Sequence, residues 1–182
     1  MDGKDTVALL PTGGGKSLCF QAPALALEGT CIVVSPLVAL MGDQVNVLKE
    51  RGIKALKLTG GISFDELTTL LDNALYGNYK FLYLSPERLQ QEIVQNYIKQ
   101  MNVNLIAVDE AHCISQWGND FRPAYKNIIV LREIHPLAPI IALTATATPE
   151  VLEDTISELK MEFPAIFKNS FVRENLSYQV FK

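Results

Sequence analysis

Short apolar runs alternate with longer segments of helical period along the chain of 182 residues. Near-continuous apolar runs suit strands that are buried on both faces, as in a parallel sheet. The helical period between them indicates helices that cover those faces. This alternation predicts a doubly wound α/β domain with right-handed crossovers. The predicted strands are Thr6–Leu10, Thr30–Val34, Ala55–Leu58, Phe81–Leu84, Leu105–Val108 and Ile140–Leu143.

The predicted helices carry recognisable end signals. Ser63–Glu66 reads as a capping box, and Gly77 follows the helix that this box opens. Ser85 and Thr148 each precede a proline and an early acid, which is the pattern of a capped helix start. Pro23 falls inside the first predicted helix, and we expect it to kink or end that helix because proline removes a backbone hydrogen bond.

A glycine-rich segment follows the first predicted strand directly. Its glycines let the backbone curl so that successive N–H groups point at an anion, and the next helix turns its positive end toward the same phosphates. We expect Lys16 to reach the β- and γ-phosphates of ATP and the Ser17 hydroxyl to bind Mg²⁺. The alternative, a glycine-rich turn with a solvated lysine, is disfavoured by the joint Gly-Gly-Gly-Lys-Ser pattern. The candidate ATP-binding residues are Thr12, Gly13, Gly14, Gly15, Lys16 and Ser17.

Two adjacent acids, Asp109 and Glu110, follow the predicted strand Leu105–Val108. Ligands in α/β sheets sit at the carboxyl ends of the strands, so this position suits a Mg²⁺-dependent phosphoryl site. We expect Asp109 to hold Mg²⁺ together with Ser17, and Glu110 to orient and deprotonate the attacking water. For this pair alone, an acidic turn that opens a helix is the alternative. Lys16, Asp109 and Glu110 are the candidate catalytic residues.

Composition narrows the class of protein further. The net charge of −4 argues against a generally basic nucleic-acid coat protein, although it leaves room for a local contact site. The longest apolar stretch, Cys31–Met41, is broken by Ser35 and Pro36 and is far shorter than the ~20 residues of a membrane-spanning helix. The three cysteines form no CxxC pair and there are only two histidines. We therefore expect no disulfide framework or zinc site, and a reducing cytoplasm.

Several motifs resemble those of one enzyme family. Leu10 replaces the first glycine of the strict G-x-x-x-x-G-K-S pattern, and the loop follows the T-G-x-G-K-S form of helicase-type ATPases. With Asp109-Glu110-Ala111-His112 it resembles the superfamily 2 helicases. Cys113–Pro123 resembles the aromatic-rich loop of RecQ-type DNA helicases, with Asn119 where many members have histidine. Segments similar to RecQ motifs Ia, Ib and III are Pro36–Gln44, Tyr83–Arg88 and Leu143–Thr148.

The RecQ resemblance runs from Gly3 to about Tyr178. It implies a three-layer RecA-like P-loop NTPase domain with a mainly parallel central sheet, and ATP and Mg²⁺ as cofactors. It also implies that His112, Thr144 and Thr146 couple the phosphate site to DNA. The plain alternatives are a structural histidine and threonines that serve at strand ends and caps.

The resemblance also implies DNA contacts in the aromatic loop and in motifs Ia and Ib. Trp117 and Phe121 are large π surfaces, and stacking on single-stranded bases is worth ~1–3 kcal/mol per base. Arg122 is a cation that can pair with phosphate. The alternative places both aromatics in the core, and treats Pro36 and Pro86 as simple helix starts. The candidate DNA-binding residues are Gln44, Arg88, Gln116, Trp117, Phe121 and Arg122.

By the same resemblance, residues 1–182 form one N-terminal RecA-like lobe of a 3′-to-5′ helicase. The parent would use ATP to move along one strand and unwind DNA in repair or recombination. Its expected partners are single-stranded DNA, the duplex junction and a second RecA-like lobe with an arginine finger, without a membrane, in the cytoplasm or at the nucleoid. An N-terminal glutamine motif and any zinc or winged-helix region are expected outside this stretch. The alternatives are a helicase that acts on RNA, and a weak nucleotide- or DNA-binding module.

Overall fold

The structure is a computed structural model that describes residues 3–118 and 120–169. Within these residues a seven-stranded sheet has the strand order β3-β4-β2-β5-β6-β1-β7, and every strand pair is parallel. The strands are β1 Thr6–Leu9, β2 Thr30–Val34, β3 Ala55–Leu58, β4 Phe81–Leu84, β5 Val103–Val108, β6 Ile140–Thr144 and β7 Ala165–Lys168.

Helices cover both faces of the sheet. The α-helices are α1 Lys16–Ala26, α2 Val38–Glu50, α3 Phe64–Tyr76, α4 Glu92–Gln100, α5 Ile129–Ile134 and α6 Pro149–Glu158. Short 3₁₀ helices span Pro86–Gln90, Ala111–Ile114 and Pro123–Ile128.

Alternate residues along each strand enter two separate cores, as the pleat of a strand requires. On one face, Ile32 and Ile106 pack in a cluster with the apolar sides of α3 to α6. On the other face, Cys31 and Ala107 pack with residues of α1 and α2, including Phe20. The architecture is therefore three-layered, and the predicted fold class is confirmed.

The strand predictions are confirmed to within one or two residues at their ends, with one omission. The structure adds β7, which pairs in parallel with β1 at the edge of the sheet. Pro23 neither ends nor breaks α1, which continues to Ala26. Phe20 and Ala24 are both buried on either side of this proline, so packing against the sheet holds the helix together.

The predicted helix starts are confirmed where a side-chain cap forms. The Ser63 and Thr148 hydroxyls accept from the amides of Glu66 and Val151. Ser85 makes no such cap, and the segment after it is a 3₁₀ helix. Asn119 and the segment around Tyr178 lie outside the described residues.

The sheet order brings the predicted motifs to one edge. The strands β2, β5, β6 and β1 are consecutive neighbours, and each runs into one motif at its carboxyl end. The Leu10 amide, just beyond β1, donates to the Thr144 carbonyl at the end of β6, over 3.1 Å. The glycine-rich loop, the acid pair and the threonine motif therefore share one edge of the sheet, as the sequence predicts.

Candidate nucleotide site and its link to the aromatic loop

The loop between β1 and α1 depends on each of its three glycines. Gly13 and Gly15 have φ of 81° and 78°, in the left-handed region that favours glycine. Gly14 donates its amide to the Pro11 carbonyl over 2.9 Å. A Cβ atom on Gly14 would lie 2.8 Å from that same carbonyl oxygen, so the tight turn excludes a side chain there.

The start of α1 faces the same loop. Gly15 precedes the first helical residue, and no side chain caps the helix. The first amides of a helix lack partners within the helix, and the helix dipole adds positive potential at this end. The loop and the start of α1 together form an arrangement suited to phosphate groups. Ser17 lies in the first turn of α1 and is partly exposed.

An ion pair joins the glycine-rich loop to the acid pair. Lys16 Nζ lies 3.3 Å from Glu110 Oε1, and both side chains are mostly buried. Glu110 itself has φ of 46°, a left-handed conformation that side chains rarely adopt. Such backbone strain persists only where surrounding contacts fix it, and it clusters at functional sites. The ion pair between Lys16 and Glu110 thus brings together two residues that are 94 positions apart in sequence.

Asp109 ends β5 and is buried, with two hydrogen bonds to its carboxylate. Its Oδ2 accepts from Ser35 Oγ over 3.3 Å, and its Oδ1 accepts from the Glu110 amide over 3.0 Å. Burial first, and then the negative charge of Glu110, raise the pKa of Asp109, while Lys16 opposes the shift. A cation bound beside this carboxylate would favour its charged form. The sequence reasoning missed Ser35, whose only signal was its position directly after β2.

His112 connects the acid pair to the end of β6. The Thr144 hydroxyl donates to the Thr146 carbonyl over 3.0 Å and accepts from the Thr146 amide over 3.1 Å. His112 Nδ1 lies 2.8 Å from the same hydroxyl oxygen. The Thr144 hydroxyl has one proton, which it donates to the Thr146 carbonyl. In the bond between this hydroxyl and His112 the ring is therefore the donor, and we assign a proton to Nδ1. This nitrogen is also 3.4 Å from Glu110 Oε2.

The other side of the His112 ring faces the aromatic loop, Cys113–Pro123. His112 Nε2 lies 3.7 Å from a carboxylate oxygen of Asp120, which sequence reasoning had not singled out. Trp117 is 78% exposed, so the alternative that places it in the core is wrong. Phe121 is partly buried, whereas Gln116 and Arg122 are exposed. The loop therefore presents an indole, an amide and a guanidinium to solvent beside the nucleotide site.

The two other predicted DNA contacts, Arg88 and Gln44, lie in different surroundings. Arg88 is buried, and its guanidinium donates to the Thr59 carbonyl, with one bond of 3.0 Å, and to Gln91 Oε1 over 2.9 Å. The 3₁₀ turn after Pro86 directs this side chain inward, which contradicts its prediction as a surface contact. Gln44 is partly exposed, and its Oε1 accepts from the Tyr83 hydroxyl over 3.0 Å.

Comparisons with known proteins agree with this geometry. A DEAD/DEAH box helicase family model matches residues 1–155. The chain is 48% identical over 180 residues to the ATP-dependent DNA helicase RecQ of Bacillus subtilis, covering 98% of the chain and 30% of that protein. It is 44% identical over 186 residues to the RecQ-like DNA helicase BLM of Xenopus laevis, covering 98% of the chain and 14% of that protein. The chain thus spans about a third or less of these curated relatives.

Solved helicase structures share the fold. The Pyrococcus furiosus Hef helicase domain has a TM-score of 0.67 and 25% identity, over 91% of this chain and 36% of that one. Mycobacterium smegmatis helicase Lhr, bound to single-stranded DNA and AMP-PNP, has a TM-score of 0.71 and 21% identity, over 93% of this chain and 24% of that one. Within the described ranges, none of the helices combines the length and apolar character needed to cross a bilayer. The family match, the fold and the RecQ identities all point the same way, and the chain belongs to the DEAD/DEAH box helicase family.

Proposed function

We propose that residues 1–182 form the first, ATP-binding lobe of a RecQ-type DNA helicase. The observation that carries the proposal is one continuous series of contacts. It runs from Lys16 to Glu110, from Glu110 to His112, and from His112 to both Thr144 and the aromatic loop. A site that only stored nucleotide would have no need to link Glu110, through His112, to Asp120 in the exposed aromatic loop. A site that uses hydrolysis to move DNA needs such a link.

In this proposal Thr12 to Ser17 hold the triphosphate, and Lys16 stabilises the charge that develops on the transferred phosphoryl group. Lys16 already binds a carboxylate oxygen of Glu110. When the γ-phosphate attracts Lys16, that oxygen becomes free to accept a proton from the attacking water. Exchange of one charge partner for another would thus prepare the general base at the moment that substrate binds.

Asp109, directly after β5, and Ser17, in the first turn of α1, carry oxygen donors that suit Mg²⁺. Carboxylate and hydroxyl oxygens are the ligands that Mg²⁺ prefers, and in nucleotide enzymes it takes one or two protein ligands together with phosphates. Asp109 and Ser17 would hold the ion. Ser35 and the Glu110 amide keep the Asp109 carboxylate oriented. The bound ion would neutralise charge that develops on the phosphates.

We assign DNA contact to the exposed residues of the aromatic loop. Trp117 and Phe121 offer stacking surfaces, while Gln116 and Arg122 offer polar contacts to the strand. His112, Thr144 and Thr146 would report the state of the loop to Glu110. Gln44 remains a candidate through α2, whereas Arg88 is not included because its guanidinium is bound inside the chain. The proposed substrate is single-stranded DNA next to a duplex, with 3′-to-5′ movement.

Two alternatives differ in what they predict for this loop and for the isolated chain. An RNA-directed helicase is disfavoured, because such relatives generally lack the loop that carries Trp117. A nucleotide-binding module is the expected behaviour of the 182-residue chain by itself, because a second lobe would supply an arginine finger that is commonly worth ~10³–10⁵ in rate. Residues 1–182 are therefore expected to bind Mg·ATP weakly and to unwind nothing.

ATP hydrolysis with and without single-stranded DNA tests the proposal in the full-length polypeptide that carries this chain. We expect Glu110→Gln to keep ATP binding and lose hydrolysis, because the amide cannot accept the proton of water. Trp117→Ala should keep basal hydrolysis and lose most of the stimulation by DNA. Normal stimulation of the Trp117 variant would contradict the coupling role. Robust unwinding by residues 1–182 alone would contradict the two-lobe proposal.

A further inference from the structure

Tyr125 lies in the 3₁₀ helix Pro123–Ile128, directly after the aromatic loop, and neither the motifs nor the proposed function assign it a role. Its side chain is fully buried. Its hydroxyl donates to the backbone carbonyl of Asp109 over 2.9 Å. Burial raises the pKa of Tyr125, so the phenol stays neutral and stays a donor. A buried side chain from the loop region thus binds the backbone of the catalytic acid pair.

This hydrogen bond is one of two that restrain the plane of the Asp109–Glu110 peptide. The carbonyl of the Asp109–Glu110 peptide accepts from Tyr125, and the amide of the same peptide donates to Asp109 Oδ1 over 3.0 Å. A planar peptide that is held at both its oxygen and its nitrogen is restrained from rotating about its flanking bonds while both contacts last. The orientation of this plane sets φ of Glu110, which is 46°.

The same plane sets where the Glu110 carboxylate points. With this backbone, its two oxygens lie 3.3 Å from Lys16 Nζ and 3.4 Å from His112 Nδ1. Glu110 occupies a strained left-handed conformation, so an ordinary backbone conformation is more favourable unless contacts oppose it. Tyr125 supplies one of these opposing contacts, from a separate part of the chain.

The backbone of Tyr125 is joined to the aromatic loop by hydrogen bonds. The Tyr125 amide donates to the Arg122 carbonyl over 2.9 Å, and the Arg122 amide donates to the Cys113 carbonyl over 2.8 Å. Phe121 and Arg122, both proposed DNA contacts, are therefore within one tight turn of Tyr125. A shift of the loop on DNA binding would reach the Tyr125 ring through this turn, without passing through His112.

We propose that Tyr125 is a positioning residue that holds the Asp109–Glu110 peptide and transmits movement of the aromatic loop to the Glu110 carboxylate. The inference rests on the proposed function, since it concerns the same general base. It adds a backbone route, through Tyr125, to the side-chain route through His112 and Thr144.

Tyr125→Phe removes the hydroxyl and keeps the ring, so it tests the hydrogen bond alone. In the full-length polypeptide with saturating single-stranded DNA, we expect kcat for ATP to fall about 10- to 100-fold, because small misplacements of a catalytic group cost this much. KM for ATP should stay within about twofold, because the phosphate loop is untouched. A role in stability alone would lower the unfolding temperature without this split. Tyr97→Phe is the matched control, since that hydroxyl donates to Asp72 on the exposed surface of α3 and α4.

The outcomes separate the two proposals. If the wild type shows no hydrolysis that depends on DNA, the proposed function fails and this inference fails with it. If the wild type is stimulated and Tyr125→Phe keeps its kcat, only the inference is overturned. If Tyr125→Phe does not fold, hydrogen exchange of the wild type still tests the inference. Amides of residues 109–114 should exchange more slowly once single-stranded DNA binds, and unchanged exchange in this segment would also overturn the inference.

Discussion

Replacing Thr144 by valine removes a single hydroxyl from the middle of the proposed coupling network. Thr144 is buried, and its Oγ1 takes part in three hydrogen bonds. Two of them join it to the backbone of Thr146, and the third joins it to His112 Nδ1 over 2.8 Å. Valine has nearly the same shape as threonine, so the perturbation is the loss of polar partners and not the creation of a cavity.

The magnitude follows from what each partner can do instead. Thr146 is exposed, so water can replace its two lost bonds at little cost. The His112 side chain is only 12% exposed, and its Nδ1 keeps one longer contact, to Glu110 at 3.4 Å. Leaving a buried donor poorly satisfied costs about 1–3 kcal/mol. We therefore expect the free energy of unfolding to fall by about 2 kcal/mol.

Urea unfolding of residues 1–182 measures this loss. At a slope of about 2 kcal/mol/M, the midpoint should fall by about 1 M. Thr155→Val is the matched control, because Thr155 is equally buried and its hydroxyl donates to the Val151 carbonyl of its own helix. That carbonyl keeps its backbone partner, so the expected loss is below about 1 kcal/mol.

Two results would refute this reasoning about Thr144. An unchanged midpoint would mean that His112 is satisfied without the hydroxyl. An equal loss in both variants would mean that any buried threonine behaves in this way. In the full-length polypeptide, Thr144→Val should also reduce the stimulation of ATP hydrolysis by single-stranded DNA.

Two further predictions concern the nucleotide site. The raised pKa of Asp109 means that the folded chain binds its proton more tightly than the unfolded chain does. The free energy of unfolding should therefore fall as pH rises from 3.8, the ordinary pKa of aspartate, toward the raised pKa of the folded chain. Urea titrations at stepped pH should show this fall in the wild type and not in Asp109→Asn. The same variant should also bind Mg²⁺ more weakly. Gly14→Ala should weaken binding of a fluorescent ATP analogue at least tenfold, because its methyl would lie 2.8 Å from the Pro11 carbonyl. Gly13→Ala, which meets nothing within 4 Å but has a positive φ, should weaken binding of the same analogue less than Gly14→Ala does; equal effects would contradict the steric argument.

The sequence predicted most of the sheet because its central strands are apolar on both faces. β7 was not predicted because it is an edge strand whose residues are largely exposed. It is a strand because it pairs with β1. Pro23 does not end α1, because Phe20 and Ala24 on either side of it pack against the sheet, which local propensity ignores. In each case a contact between distant parts of the chain decided the outcome over the local signal.

The same distinction holds at the site. The motifs predicted that the glycine-rich loop and the acid pair share one edge of the sheet, because both follow strands that run in the same direction, and the structure adds the contact between Lys16 and Glu110. The inward turn of Arg88 depends on the carbonyl of Thr59, which no motif identifies as a partner. Ser35 and Tyr125 were not found at all, since a serine after a strand and a core tyrosine are ordinary residues until the fold shows that both bind Asp109.

Glu110 has a partner for each of its oxygens, and this limits how it can act as a base. Lys16 lies 3.3 Å from Oε1 and His112 Nδ1 lies 3.4 Å from Oε2. In the proposed mechanism, an oxygen of Glu110 must lose its present partner before it can accept a proton from water. In the proposed function, a phosphate would compete with Glu110 for Lys16, and the Thr144 hydroxyl would compete with Glu110 for the proton on His112 Nδ1. In the proposed function, nucleotide would act on one oxygen of this carboxylate through Lys16, and the aromatic loop would act on the other through His112, so hydrolysis would respond to both ligands without any contact between them.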